Sequence, residues 1–61
     1  MSAQEYRFEV KLKGKLFYEL VTDLAHCHRL AEVYEMYLKM NEIPNELYTI
    51  SITDLRTGKT I

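Results

Sequence analysis

The chain has 61 residues, a single cysteine and a formal net charge of −1. A chain of this length forms at most one domain with a small core, and one cysteine excludes an internal disulfide. The near-neutral charge provides no strong field to attract nucleic acid or an anionic membrane. With 48% hydrophobic and 28% charged residues, the composition is that of a folded globular protein rather than a disordered one.

The segment 1–5 contains no basic residue and no apolar run, so we do not expect a signal peptide. No apolar stretch approaches the roughly 20 residues that span a bilayer. A lone cysteine is compatible with a reducing compartment. We therefore expect a cytoplasmic protein that does not contact a membrane.

Two strands open the chain. Residues 6–13 alternate strictly between apolar and charged side chains, which predicts a strand with one buried face. After Gly14 a second alternating run predicts a strand over 15–21, and the short connection predicts a hairpin. We expect Gly14 to take a left-handed conformation in a three-residue loop, which sets Val10 opposite Leu16 and Arg7 opposite Glu19. A shifted register would set two glutamates, at positions 9 and 19, opposite each other, which is unfavourable.

A long amphipathic helix is predicted over 23–40, because no glycine or proline interrupts this segment. Thr22 and Asp23 offer an N-cap. Asn41 is expected to end the helix in a left-handed conformation, and Pro44 prevents its continuation. The residues expected to face the core are Leu24, Cys27, Leu30, Ala31, Tyr34, Tyr37 and Leu38.

A third strand is predicted over 46–54, followed by a turn around Gly58 and a possible strand stub over 59–61. The fold class is therefore α+β with element order β-β-α-β(-β). We expect an antiparallel sheet in the order 2-1-3 with one long helix packed on one face. An alternative order, 2-1-4-3, requires the short terminal stub to lie in the middle of the sheet.

Several apolar residues remain after this core is filled. The sheet residues expected to face the helix are Tyr6, Phe8, Val10, Leu16, Tyr18, Leu20, Tyr48, Ile50 and Ile52. On the helix, Val33, Met36 and Met40 lie beside the core-facing residues and widen the apolar arc. On the open face of the sheet we expect Phe17 and Val21, with Leu47 and Leu55, among charged and hydroxyl side chains. Two plainer explanations exist: Ile43 covers the exposed helix residues, and the sheet residues are ordinary scattered surface hydrophobes.

Catalysis and metal binding are not expected. His26, Cys27 and His28 are consecutive, whereas ligands sharing one helix face lie three or four residues apart. The segment 57–60, Thr-Gly-Lys-Thr, has no upstream glycine and no following helix, so it predicts a turn rather than a phosphate-binding loop. We therefore expect no enzyme activity, no metal and no cofactor.

Binding to another protein is the predicted function. The expected contact residues are Phe17, Val21, Val33, Met36 and Met40, the partner being a larger protein or a second copy in a homodimer. An aromatic at position 17 on an open sheet, near basic side chains, is a device of single-stranded nucleic-acid readers. Acidic neighbours and the net charge argue against it here.

The chain resembles, in type, the small accessory proteins of tailed bacteriophages. It shares with them its length, the Met1-Ser2 start, a hairpin with Gly14, one long helix and a closing strand. Some of those proteins bind and inhibit one host enzyme or toxin. The resemblance implies an inhibitor or adaptor that acts by occupying a surface of a larger protein.

Overall fold

The sheet and helix predicted from the sequence are present in a computed structural model, which describes residues 5–61. The strands are β1 (Tyr6–Leu12), β2 (Lys15–Thr22), β3 (Tyr48–Asp54) and β4 (Lys59–Thr60); helix α1 spans Leu24–Met40, and a short 3₁₀ helix covers Asn45–Leu47. All pairings are antiparallel, in the order β2-β1-β3-β4. The α+β fold and the 2-1-3 order are confirmed. The alternative order 2-1-4-3 is wrong, because β4 pairs with the outer edge of β3.

Strand β1 lies at the centre of the sheet and provides most of its buried face. Tyr6, Phe8 and Val10 are buried under α1, as their alternation with charged residues predicts. The β3 residues opposite Phe8 and Val10 are Ile52 and Ile50, so the two strands present apolar side chains to the helix at matching levels.

The β1–β2 hairpin has a tighter turn than the sequence suggested. Lys13 and Gly14 form a two-residue loop, and both have positive φ angles, 54° and 80°. Positive φ at both central residues is the backbone of a type I′ turn, which matches the twist of the flanking strands. The resulting register sets Glu9 opposite Glu19, so the predicted register is wrong. Arg7 nevertheless contacts Glu19 diagonally, with 3.2 Å from Nε to Oε2.

A β-bulge in β2 changes which side chains face the helix. The register shifts between Val10, opposite Tyr18, and Lys11, opposite Leu16, so Phe17 is the extra residue. Leu16 therefore shares the open face with Lys11 and is 52% exposed, not buried as predicted. The Phe17 ring lies 6.4 Å from the Tyr34 ring of α1, on the helix side rather than on the predicted open face.

Helix α1 begins at Leu24, one residue after the predicted start, and its cap is Asp23. The Asp23 Oδ1 atom accepts the backbone N–H of His26 at 2.8 Å, satisfying one of the amides that the first turn leaves free.

The helix ends in a Schellman motif at a residue the sequence did not indicate. Asn41 has φ −91°, and the left-handed residue is Glu42, with φ 58°. The Glu42 N–H donates to the Lys39 carbonyl at 2.9 Å, and the Ile43 N–H donates to the Leu38 carbonyl at 3.0 Å. These are the two hydrogen bonds that define the motif. They fold Ile43 back against the core, and Val33, Met36 and Met40 remain exposed.

The core lies between α1 and the helix side of the sheet. An aromatic group at its β2 end joins Phe8, Tyr18 and Tyr34, with ring centroids 5.0–6.1 Å apart. Tyr37, predicted to face the core, is 51% exposed instead. Leu47, predicted on the open sheet face, lies in the 3₁₀ helix and is half-buried. The fully or nearly buried side chains are Tyr6, Phe8, Val10, Cys27, Leu38 and Ile52.

Candidate interaction surface

A second apolar stripe runs along the outward side of α1, separate from the face that packs on the sheet. It consists of Val33, Met36, Tyr37 and Met40, which we call the outer stripe. The spacing i, i+3, i+4, i+7 places all four on one side of a helix. Their exposed fractions are 55%, 63%, 51% and 77%, so the folded molecule covers less than half of each.

Charged side chains border the outer stripe on its side towards β3. Glu32, Glu35 and Lys39 line a shallow groove together with Met36 and Met40. Lys39 Nζ lies 3.4 Å from Glu35 Oε2, an exposed pair one helical turn apart. Such a pair contributes about 0.3–0.5 kcal/mol, so it does not fix Lys39 in one position.

Aromatic side chains border the stripe on its side towards β2. Phe17 packs edge-on against Tyr34 and remains 48% exposed. Burial raises the pKa of the Tyr34 phenol, and the nearby Tyr18 and Tyr37 phenols raise it further. Tyr34 and Tyr37 are three residues apart on α1, so their side chains are neighbours on the helix surface. Apolar surface therefore extends from the outer stripe through Tyr34 to the bulge residue.

The open face of the sheet carries the remaining predicted contact residue, Val21. Val21 lies opposite Arg7, on the side of the sheet away from α1, and is 43% exposed. Its surroundings include the ion pair of Arg7 with Glu19. The sheet itself separates Val21 from the outer stripe, so one flat partner surface cannot contact both.

The five predicted contact residues thus fall into two groups. Val33, Met36 and Met40 lie together, Phe17 joins their border through Tyr34, and Val21 stands apart. The sequence reasoning missed Tyr37 because its position lies between the two apolar sides of α1. Its spacing of four from Val33 and three from Met40 was the signal available.

The residues with metal-binding or nucleophilic chemistry do not converge. Among residues 5–61, no group of three or more histidine, cysteine, aspartate or glutamate side chains could hold a metal ion. His26 and His28 are exposed on α1, whereas Cys27 between them is fully buried. Burial raises the pKa of the Cys27 thiol, and the Asp23 carboxylate raises it further.

Comparison with known proteins identifies no relative. No protein-family model, curated protein or solved structure matches the chain. Within residues 5–61, no helix has the length and apolar content needed to cross a membrane.

Proposed function

We propose that the chain is a small, non-catalytic protein-binding module that acts by surface contact with a larger protein, as an inhibitor or adaptor. The contact is the outer stripe of α1, with Phe17 at its border. One observation carries the proposal: four apolar side chains share one helix side and remain half or more exposed. Helix-in-groove recognition uses anchors at this spacing. Methionine, at two of the four positions, adapts to varied partner surfaces.

Catalysis has little support from the placement of reactive groups. Cys27 points from α1 into the core and its thiol pKa is raised, so little of it is in the reactive thiolate form near pH 7. His26 and His28 lie two residues apart on α1 and point in different directions from it.

Binding of single-stranded nucleic acid loses its main support. That hypothesis depended on Phe17 as a stacking platform on the open sheet face, and Phe17 lies on the other side against Tyr34. Leu16 takes the exposed position next to Lys11 instead, and an aliphatic side chain offers no ring on which a base can stack.

The test compares a variant of the outer stripe with a matched control. Met36→Lys with Met40→Lys places two charges in the stripe while retaining good helix formers. Leu55→Lys with Ile61→Lys makes the same two-charge change at exposed apolar positions away from α1. Circular dichroism checks that both variants remain folded.

Each protein is immobilised and used to capture partners from extract of its native cells, read by mass spectrometry. We expect the wild type and the control to retain the same protein and the stripe variant to lose it by at least about tenfold, because centrally buried anchors dominate such contacts. Equal retention by all three proteins would show that the partner does not use the outer stripe. A separate Val21→Lys variant tests the open sheet face in the same assay.

A further inference from the structure

We propose that, when no larger partner is present, the outer stripe is covered by the outer stripe of a second copy. The two α1 helices pair antiparallel across a twofold axis near Met36. This inference rests on the proposed function in one respect, since it takes the stripe to be an interaction surface. It adds which molecule covers the stripe, a second copy of the chain, and how the two α1 helices are arranged.

Charge along one border of the stripe identifies the occupant. Glu32 and Lys39 lie on the same side of α1, seven residues or two turns apart, and both line the groove beside Met36. In an antiparallel pair related by a twofold axis, this border of one helix meets the same border of the other. Glu32 of each copy then lies level with Lys39 of the other, giving two equivalent ion pairs. A parallel twofold pair would instead set this border against the opposite, aromatic border of the other copy, so that neither charge would meet a partner of opposite sign.

The apolar residues fit the same arrangement. An axis midway between positions 32 and 39 passes close to Met36, which then contacts Met36 of the second copy. Val33 lies near the level of Tyr37 of the other helix. Met40 lies level with position 31 of the other helix, about 3 Å along the axis from Arg29, whose aliphatic stem can reach it while the guanidinium group stays in water. The paired segment, 31–40, is about 15 Å long at 1.5 Å per residue.

The ion pair already present does not oppose this arrangement. Lys39 contacts Glu35 within the helix, at 3.4 Å and with both side chains more than half exposed. An exposed pair of this kind is weak, and Lys39 can exchange it for Glu32 of the second copy. Because the contact is limited to about three helical turns, we expect it to be smaller than the roughly 800 Å² per partner of a standard interface and the dimer to dissociate in the micromolar range. A larger partner can displace the second copy from the outer stripe of such a dimer.

Charge reversal tests the pairing directly by sedimentation equilibrium at high micromolar concentration. Glu32→Lys makes both pairing positions, 32 and 39, positive, and Lys39→Glu makes both negative, while Glu35 on the same border is unchanged in each variant. We expect each variant alone to self-associate about tenfold more weakly than the wild type. An equimolar mixture should recover association, because every cross-pair is then of opposite sign. A mixture no stronger than the mean of its components would overturn the antiparallel charge match.

Disulfide trapping tests the axis. A Met36→Cys variant should form a covalent dimer under mild oxidation, since its new thiols meet across the axis. Val21→Cys is the control on the open sheet face, and Cys27 is buried in both proteins. Equal cross-linking of both variants would contradict the geometry.

Self-association and partner capture can fail separately. A wild-type chain that is monomeric at high micromolar concentration overturns the dimer, while the proposed function stands if the stripe variant still loses its partner. A wild-type dimer together with a stripe variant that keeps its partner overturns the proposed function alone.

Discussion

Replacing Glu42 by glycine should stabilise the fold. Glu42 holds φ 58° at the end of α1, a conformation that costs an L residue roughly 1–2 kcal/mol and a glycine almost nothing. Glycine also enlarges the entropy of the unfolded chain, which offsets about 0.5–1 kcal/mol of that gain. The two terms leave an expected increase of about 0.5–1 kcal/mol in the free energy of unfolding.

Two further variants separate the backbone effect from other causes. Glu42→Gln removes the negative charge from the helix C-terminus but keeps the Cβ atom, so it measures the charge contribution alone. Asn41→Gly alters the preceding residue, whose φ is −91° and whose side-chain amide donates to the Tyr37 carbonyl at 2.8 Å. We expect Asn41→Gly to destabilise the protein by about 0.5–1 kcal/mol.

Urea titration followed by far-ultraviolet circular dichroism at 25 °C measures all four proteins, at one fixed protein concentration because self-association would add to apparent stability. The order expected is Glu42→Gly above Glu42→Gln, and the wild type above Asn41→Gly. If Glu42→Gly is no more stable than Glu42→Gln, the left-handed residue costs nothing and the reasoning fails. If Asn41→Gly stabilises instead, the left-handed position belongs to Asn41.

Two other predictions concern single residues. Lys13→Asn should raise the free energy of unfolding by about 0.5 kcal/mol, because asparagine tolerates the left-handed conformation that Lys13 adopts in the type I′ turn. Thermal unfolding measures this change. The control is Lys15→Asn, which alters a residue of β2 and should give no gain in stability. Cys27 should react with a thiol reagent at least about a hundredfold more slowly in the folded protein than in urea, because it is fully buried and its pKa is raised. Since the folded state holds the thiol proton more tightly, stability should fall as pH rises above the ordinary thiol pKa of about 8.5, and Cys27→Ala should remove that part of the pH dependence.

The elements and their order could be predicted because each has a local signal. Strict alternation over 6–13 specifies a strand, and an uninterrupted 3.6-residue period with Asp23 before it specifies a helix. The central position of β1 followed from the connections, because the hairpin pairs β1 with β2 and the helix returns the chain so that β3 runs antiparallel beside β1. These signals depend only on residues close together in the chain, so no tertiary information was needed to use them.

The hairpin register could not be predicted because the deciding contacts are tertiary. The sequence reasoning avoided Glu9 opposite Glu19, a penalty of a few tenths of a kcal/mol to about 1. Against it stands the contact of the Phe17 ring with Tyr34, which exists only because the bulge turns Phe17 to the helix side, and such a ring pair is worth about 0.5–1.5 kcal/mol beyond the burial itself. Tyr34 lies on the helix, so its contribution is not visible in a strand-to-strand comparison. Glu19 also keeps an attractive contact with Arg7 in the observed register.

The left-handed residue at the helix end was missed for a related reason. Asparagine tolerates positive φ better than glutamate, which favoured Asn41 on propensity alone. The return of Ile43 onto the core through the Leu38 carbonyl fixes where the helix must stop. Burial of the Ile43 side chain outweighs the preference of Asn41 for positive φ, so Glu42 adopts the left-handed conformation instead.

The β-bulge determines on which side of the molecule the exposed ring of Phe17 lies. Under strict alternation Phe17 would lie with Glu19 on the open face of the sheet, where a ring among charges resembles a nucleic-acid platform. The extra residue in β2 turns that ring onto Tyr34 and moves Leu16 to the open face in its place. The aromatic surface is thereby added to the border of the outer stripe. A one-residue irregularity in a strand thus exchanges Phe17 for Leu16 on the open face and places the larger, aromatic side chain on the helix side, beside the outer stripe.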